Sequence, residues 1–302
     1  MDQPILIDTK MHGTEGITAC FVVKGSERTA LVETGPKSSL EHVLKGLEDA
    51  GVDALDWIVV THIHLDHAGA AGTIAERFPT ARVAVHEVGA PHLADPSKLW
   101  SSAARIYGER MDELWGGIDP IDPERITALT GGDEIDLGDR KLTAHDTPGH
   151  ARHHHTYVDD ATGIAFTGDA MGVRLADVGV VRPATAPPEF DLEDAIASIE
   201  KIRALGANEL WLTHFGSQKP QSQDEVCDEA VTALRSWAEW VKDARASTDD
   251  LDQIAAQVQK RAEEDLGGRL TPDAIDRMEQ TTSYWMNTWG YVRYLDRKEK
   301  AS

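Results

Sequence analysis

An apolar, β-branched segment, Trp57-Ile58-Val59-Val60, runs directly into Thr61-His62-Ile63-His64-Leu65-Asp66-His67. The first segment predicts a buried strand, so the polar run falls where a strand ends and a loop begins. Three histidines and one aspartate lie between His62 and His67. Imidazole and carboxylate are the ligands that borderline divalent metals such as Zn²⁺ take. Residues two apart in an extended segment point the same way, so His62 and His64 can share one ion. Asp66 and His67, past the turn, can face a second. A tag would not be internal or carry the aspartate.

The same arrangement recurs along the chain. Candidate strands at 5–8, 17–23 and 29–33 come first, then a helix from Ser38 or Ser39 to Ala50, strand 57–60, a helix to about Phe78, and strand 82–85. Strands return at 133–137, 140–146, 155–158 and 163–167, followed by a helix from Asp191 to about Leu205 and a strand at 209–213. Polar residues at strand C-termini are where open α/β folds build sites. Three more such ends carry ligand-type side chains: His150 after the turn Thr147-Pro148-Gly149, Asp169 in Thr167-Gly168-Asp169, and His214 after Leu210-Trp211-Leu212-Thr213. Residues 87–130 are less regular. Helices near 97–107 and 109–115 carry Trp100, Tyr107, Met111 and Trp115, which either line a pocket or bury an amphipathic face. From about Pro220 only helices are expected, at 224–245, 250–265 and 272–296. This divides the chain into a catalytic domain, 1–219, and a C-terminal helical extension, 220–302.

The ordered set His62-x-His64-x-Asp66-His67, His150, Asp169 and His214 resembles the metallo-β-lactamase fold superfamily over roughly residues 1–216. Val32-Glu33-Thr34-Gly35-Pro36 is similar to its early Asp-Thr-Gly turn, with Glu33 in place of the acid that has a structural or supporting role there. The resemblance implies an α/β fold, a four-layer αββα sandwich with the site at one edge between two sheets. It also implies that His62, His64 and His150 bind one metal, that Asp66, His67 and His214 bind a second, and that Asp169 bridges them. The full set matches hydrolytic members such as glyoxalase II and lactonases. The true β-lactamases commonly lack the bridging aspartate, so β-lactam hydrolysis is not expected as the native role.

The expected enzyme is a binuclear metallo-hydrolase that cleaves a small ester, thioester or lactone. Two divalent ions, zinc before iron or manganese, would hold a hydroxide between them. Asp66 would orient that hydroxide, which makes Asp66 and Asp169 the catalytic carboxylates. His154 is expected beside the ligands, and Tyr157 as a hydrogen-bond donor to a bound carbonyl. His153 and His155 read as solvated surface residues, and Arg174, Arg182 and Lys219 as isolated cations that either bind a substrate anion or form surface ion pairs. The alternative is a mono-iron oxidoreductase resembling the persulfide dioxygenases. Phosphodiester cleavage of nucleic acid is disfavoured, because 30 basic against 52 acidic residues give a net charge of −22 that repels phosphate backbones. The chain has no run of 18 apolar residues and no basic-then-apolar start at Met1-Asp2-Gln3-Pro4-Ile5, so neither a membrane span nor a signal peptide is expected. With only Cys20 and Cys227, a disulfide framework is not indicated, and the cytoplasm is the expected compartment. A small-molecule substrate is the expected partner, with a homodimer open.

Overall fold

The computed structural model describes residues 2–175 and 177–301; Met1, Ala176 and Ser302 lie outside them. Two sheets of six strands form the frame. The first runs in chain order: β1 (Ile5–Asp8), β2 (Ala19–Lys24), β3 (Thr29–Val32), β4 (Trp57–Val59), β5 (Arg82–His86) and β6 (Ile126–Leu129). It is antiparallel from β1 to β3 and parallel from β3 to β6. The second comprises β7 (Glu134–Asp136), β8 (Lys141–Asp146), β9 (His155–Asp159), β10 (Ile164–Phe166), β11 (Glu209–Leu212) and β12 (Gly216–Ser217). It is antiparallel except where β10 pairs with β11.

Strand alternation explains the layers. On β2, Ala19, Phe21 and Val23 point into a core shared with Tyr157, Phe166 and Trp211 of the second sheet. Cys20 and Val22 point the other way, onto Val43 and Leu47 of helix Leu40–Asp49 and Ile74 of helix Ala71–Arg77. Both faces of the sheet are therefore apolar, as parallel strands covered on both sides require. Outside the second sheet, Leu210 and Leu212 meet Ile199 and Ile202 of helix Leu192–Ala204 and the C-terminal helices. The result is the expected αββα sandwich. A buried pair, Arg140 with Asp159, ties the start of β8 to the end of β9.

The C-terminal helices begin after Ser222, whose hydroxyl accepts the Glu225 N–H while Glu225 reaches back to Ser222, a reciprocal cap on helix Gln223–Arg245. Asp250 caps helix Leu251–Leu266. The single helix expected over 272–296 is two, Pro272–Thr281 and Tyr284–Ala301. The break falls at Thr282-Ser283, where side chains compete for backbone groups. The Thr282 hydroxyl donates to Pro183 O, and the Ser283 hydroxyl accepts the Met286 N–H. Among the described residues no helix is long and apolar enough to cross a membrane.

Candidate metal centre

Each of the seven ligand-type side chains leaves the edge of a sheet. After β4 the chain turns through Thr61 and enters a short helix, Leu65–Ala68. That helix swings Asp66 and His67 away from His62 and His64. The β8–β9 turn presents His150; Gly149 has φ 127°, and a Cβ there would overlap the backbone of Ala195. Gly168, at φ 49°, precedes Asp169, and its missing Cβ leaves room for Thr61 Oγ1 and His154 Nε2, which would lie 2.5 and 2.6 Å away. His214 follows β11, where the Thr213 carbonyl accepts the Ala19 N–H and the His214 carbonyl accepts the Arg174 N–H.

The structure brings all seven together. His62 Nε2, His64 Nδ1 and His150 Nε2 form a triangle with sides of 2.9, 2.8 and 3.2 Å. Asp66, His67 and His214 form a second group. Asp169 stands between them: its Oδ2 lies 3.5 Å from His150 Nε2, and its Oδ1 lies 3.3 Å from His67 Nε2 and 3.5 Å from His214 Nε2. His62, His67, His150, Asp169 and His214 are buried.

Groups behind the ligands set which ring nitrogen faces inward. His150 Nδ1–H donates to Ala184 O at 2.8 Å, and His214 Nδ1–H to Ile17 O at 2.6 Å. His67 Nδ1–H donates to Glu33 Oε1 at 2.9 Å. Thr61 Oγ1 spends its proton on Glu33 Oε1, so it accepts His62 Nδ1–H at 3.1 Å. With the outer nitrogens protonated, four Nε2 lone pairs converge on one space, the orientation that metal-bound histidines need. His67 Nε2 and Asp169 Oδ1 are buried with no hydrogen-bond partner. Imidazoles and carboxylates gathered in this way fit divalent metal ions.

The electrostatics divide the imidazoles: burial lowers His67 and His214, but Asp169 and Asp66 outweigh it and raise both above the ordinary histidine value. Burial, reinforced by the neighbouring imidazoles, holds His62 and His64 well below the usual histidine range, hence neutral and able to ligate. Burial opposes ionisation of Asp66, but His67 and His214 override it and bring the carboxyl to about 2. Asp169 is depressed in the same way by His67, His150 and His214.

One expectation about the neighbours is refined and others are corrected. His154 does sit behind the ligands: its Nε2 accepts the Asp169 backbone N–H at 3.1 Å, and its Nδ1–H faces Thr147 Oγ1 at 2.9 Å. Tyr157 cannot touch a substrate. It is fully buried between the sheets, and its hydroxyl donates to Val60 O. His153 and His155 are buried rather than solvated, because the β8–β9 turn folds inward and β9 begins at His155. Arg174 and Arg182 are buried and paired with Glu229 and Glu279, and Lys219 pairs with Glu209, so none lines the site. Backbone carbonyls such as Ala184 O carry no side-chain signature and could not have been found from sequence.

Above the ligands opens a cavity of about 280 Å³. Asp66, His150 and Asp169 form its floor; Leu99, Ala103, Ile106 and Tyr107 of helix Ser97–Tyr107 form one wall, and Met286 of the extension another. Lys98, Arg152 and Glu189 reach the rim. The apolar stripe of helix Ser97–Tyr107 does both things the sequence allowed: Leu99, Trp100, Ala103, Ala104 and Tyr107 pack against the cluster around Leu65, Met111 and Trp115, and Leu99, Ala103, Ile106 and Tyr107 line the cavity.

Glu33, fully buried at φ 65°, accepts Thr61, His67 and Thr213 on one oxygen. The Glu33→Gln variant turns an amide N–H₂ towards the Thr61 N–H that Oε2 now accepts at 3.2 Å. Metal affinity is expected to fall about 10–100-fold, read by competition against a chelating dye; unchanged affinity would remove Glu33 from this role.

The sequence profile of the Metallo-beta-lactamase superfamily matches residues 13–214. The chain is 30% identical over 214 residues to the metallo-beta-lactamase fold-containing protein ST1585 of Sulfurisphaera tokodaii, covering 69% of this chain and 77% of that one. It is 31% identical over 170 residues to the human acyl-coenzyme A thioesterase MBLAC2, covering 50% and 57%. The crystal structure of the archaeal ST1585 superposes with a TM-score of 0.71 at 22% identity, covering 97% of this chain and 99% of that one, which shows a shared fold. Matching sequence, a shared αββα frame and the ligand-type side chains at its edge converge: the chain belongs to the metallo-β-lactamase superfamily.

Proposed function

We propose that the protein is a dinuclear metal-dependent hydrolase of a small acyl ester, thioester or lactone. One observation carries this: outward-protonated imidazoles direct their Nε2 lone pairs to either side of a buried, ionised Asp169. His62, His64 and His150 would hold one ion, Asp66, His67 and His214 the other, with Asp169 shared. Bound there, the ions supply an acidified water and polarise the scissile carbonyl. Asp66, ionised at neutral pH, accepts a hydrogen bond from the attacking water and orients it. Glu33 and the Ala184 and Ile17 carbonyls hold the imidazoles in one tautomer, so no reorganisation is needed at the moment of reaction.

The cavity supports the substrate class. Its wall from helix Ser97–Tyr107 is apolar, whereas cations stand only at the rim, an arrangement suited to an acyl group with a polar carrier outside. The named activity of the human thioesterase relative supports the same reading. The test is a screen of p-nitrophenyl esters, acyl thioesters, lactones and bis-p-nitrophenyl phosphate, joined to metal quantification. Cleavage of acyl substrates by a two-metal form is expected. Cleavage of the phosphodiester alone, or a single iron with oxygen uptake, would overturn the proposal.

A second outcome concerns chain length. Ala103→Trp fills the cavity beside Leu99 and Tyr107. We expect kcat/KM for octanoyl esters to fall about 10–200-fold, in proportion to the pocket lost, with acetyl esters little changed. Equal losses for both would place the acyl group elsewhere.

A further inference from the structure

A second cluster of ligand-type side chains lies outside the cavity. His86 ends β5 of the first sheet, while Asp146 ends β8 and His155 begins β9 of the second. His155 Nε2 lies 2.9 Å from Asp146 Oδ1, and His86 Nε2 lies 3.7 Å from the same oxygen. The two rings are 4.5 Å apart, and one donor atom of each of the three residues lies within 4.8 Å of the others. Both imidazoles are buried, whereas the Asp146 side chain is 45% exposed and gives a route from solvent.

The hydrogen bonds around the cluster aim both inner nitrogens at the carboxylate. His155 Nε2–H reaches Asp146 Oδ1 at 2.9 Å, while its Nδ1 faces the Tyr157 hydroxyl at 3.4 Å. His86 Nδ1 accepts the Val88 N–H, which leaves its Nε2 turned to the same carboxylate oxygen. A cation that displaces the two Nε2 protons meets two lone pairs and a carboxylate in one space.

We propose that His86, Asp146 and His155 form a third divalent-cation site, for a zinc-like ion held by two imidazoles and one carboxylate with an open position for water. Two imidazoles and a carboxylate are a known zinc set. Because His86 belongs to one sheet and the other two ligands to the second, the ion staples the sheets together. The staple lies against the catalytic strand end: the His155 N–H donates to Thr61 O, next to His62. Ligation through His86 Nε2 moves its ring proton to Nδ1, which in this structure accepts the Val88 N–H at 3.0 Å. The 87–89 turn therefore shifts on loading, and the Val88 amide reports it.

The test compares metal content after loading the full chain with excess zinc and desalting. Wild type is expected to hold one equivalent more than His86→Gln and one more than Asp146→Asn, an isosteric change at a half-exposed residue. The Val88 amide resonance is expected to move with that equivalent in wild type and to stay fixed in H86Q. Equal zinc in wild type and both variants would overturn the site. The difference rather than the total is decisive, so the result stands whether or not the catalytic centre is dinuclear; that reading is tested separately by the count remaining in H86Q.

Discussion

Replacing Asp169 by alanine is expected to abolish hydrolysis of acyl substrates and to lower the catalytic ions from two to one or none. Asp169 faces both halves of the site, Oδ2 towards His150 and Oδ1 towards His67 and His214. Removing it takes away the negative charge that faces both groups of imidazoles. Loss of a residue that merely supports a ligand costs about 10–100-fold in affinity or activity, so the loss of a shared ligand should exceed about 100-fold in kcat/KM. Asp169→Asn separates charge from shape. It keeps the size of the side chain but points an N–H₂ group at either His150 or His67, and its activity should fall almost as far. Chelator treatment of wild type should reproduce the loss and added zinc should reverse it, whereas zinc should not rescue D169A. A D169A protein with full activity and an unchanged metal count would sink the bridging assignment.

Much of the centre was legible because metal-ligand chemistry is local. His62 and His64 share a face by strand periodicity, and the turn after Ile63 sends Asp66 and His67 elsewhere; neither step needs the fold. Joining His150, Asp169 and His214 to them needed a family resemblance, since nothing in sequence spacing brings residue 62 next to residue 214. Most strand positions were equally readable, because both faces of the first sheet are apolar; the half-buried edge strand β6 lay in the stretch read as irregular, and the two-residue β12 was not expected. What failed depended on which side of a strand meets a cavity. Tyr157 has the right chemistry for a donor, yet alternation along β9 turns it into the core between the sheets. His153 and His155 look like a solvated run, but the turn that presents His150 carries them inward too. His86 closes an apolar strand just as His214 does, but its partners Asp146 and His155 are distant in sequence and no family resemblance joins the three. The break at Thr282-Ser283 was hidden because Thr and Ser are only weakly unfavourable inside helices, and the bonds that stop this one reach Pro183, about a hundred residues away.

Gly290→Val should damage both stability and the metal centre, and so show whether the C-terminal helices hold the site or only pack on it. Gly290 lies in helix Tyr284–Ala301 against Thr185, and a Cβ at that position would overlap the Thr185 carbonyl oxygen. The obstacle is backbone, so no side chain can turn aside. Overpacking of this kind typically costs about 1–3 kcal/mol and occasionally more. The helix also holds Thr185 through Asn287, whose Oδ1 accepts the Thr185 N–H at 2.9 Å and whose carbonyl accepts the Thr185 hydroxyl at 3.1 Å. Losing those bonds adds about 0.5–1.5 kcal/mol each, so denaturant unfolding should show a total loss of about 3 kcal/mol or more. The consequence for function follows from one residue further back. Ala184 O accepts the His150 Nδ1–H, so a displaced Thr185 pulls away the group that orients the His150 ring. We expect kcat/KM per folded molecule to fall about 10-fold, the lower end of the range for lost ligand support, together with weaker retention of one metal ion. Asn287→Ala should give a smaller effect of the same kind, because it removes the Oδ1 bond to the Thr185 N–H but keeps the backbone carbonyl that accepts the Thr185 hydroxyl. If G290V unfolds more readily but its folded fraction keeps wild-type kcat/KM and metal content, the helices contribute packing alone and His150 is oriented without them.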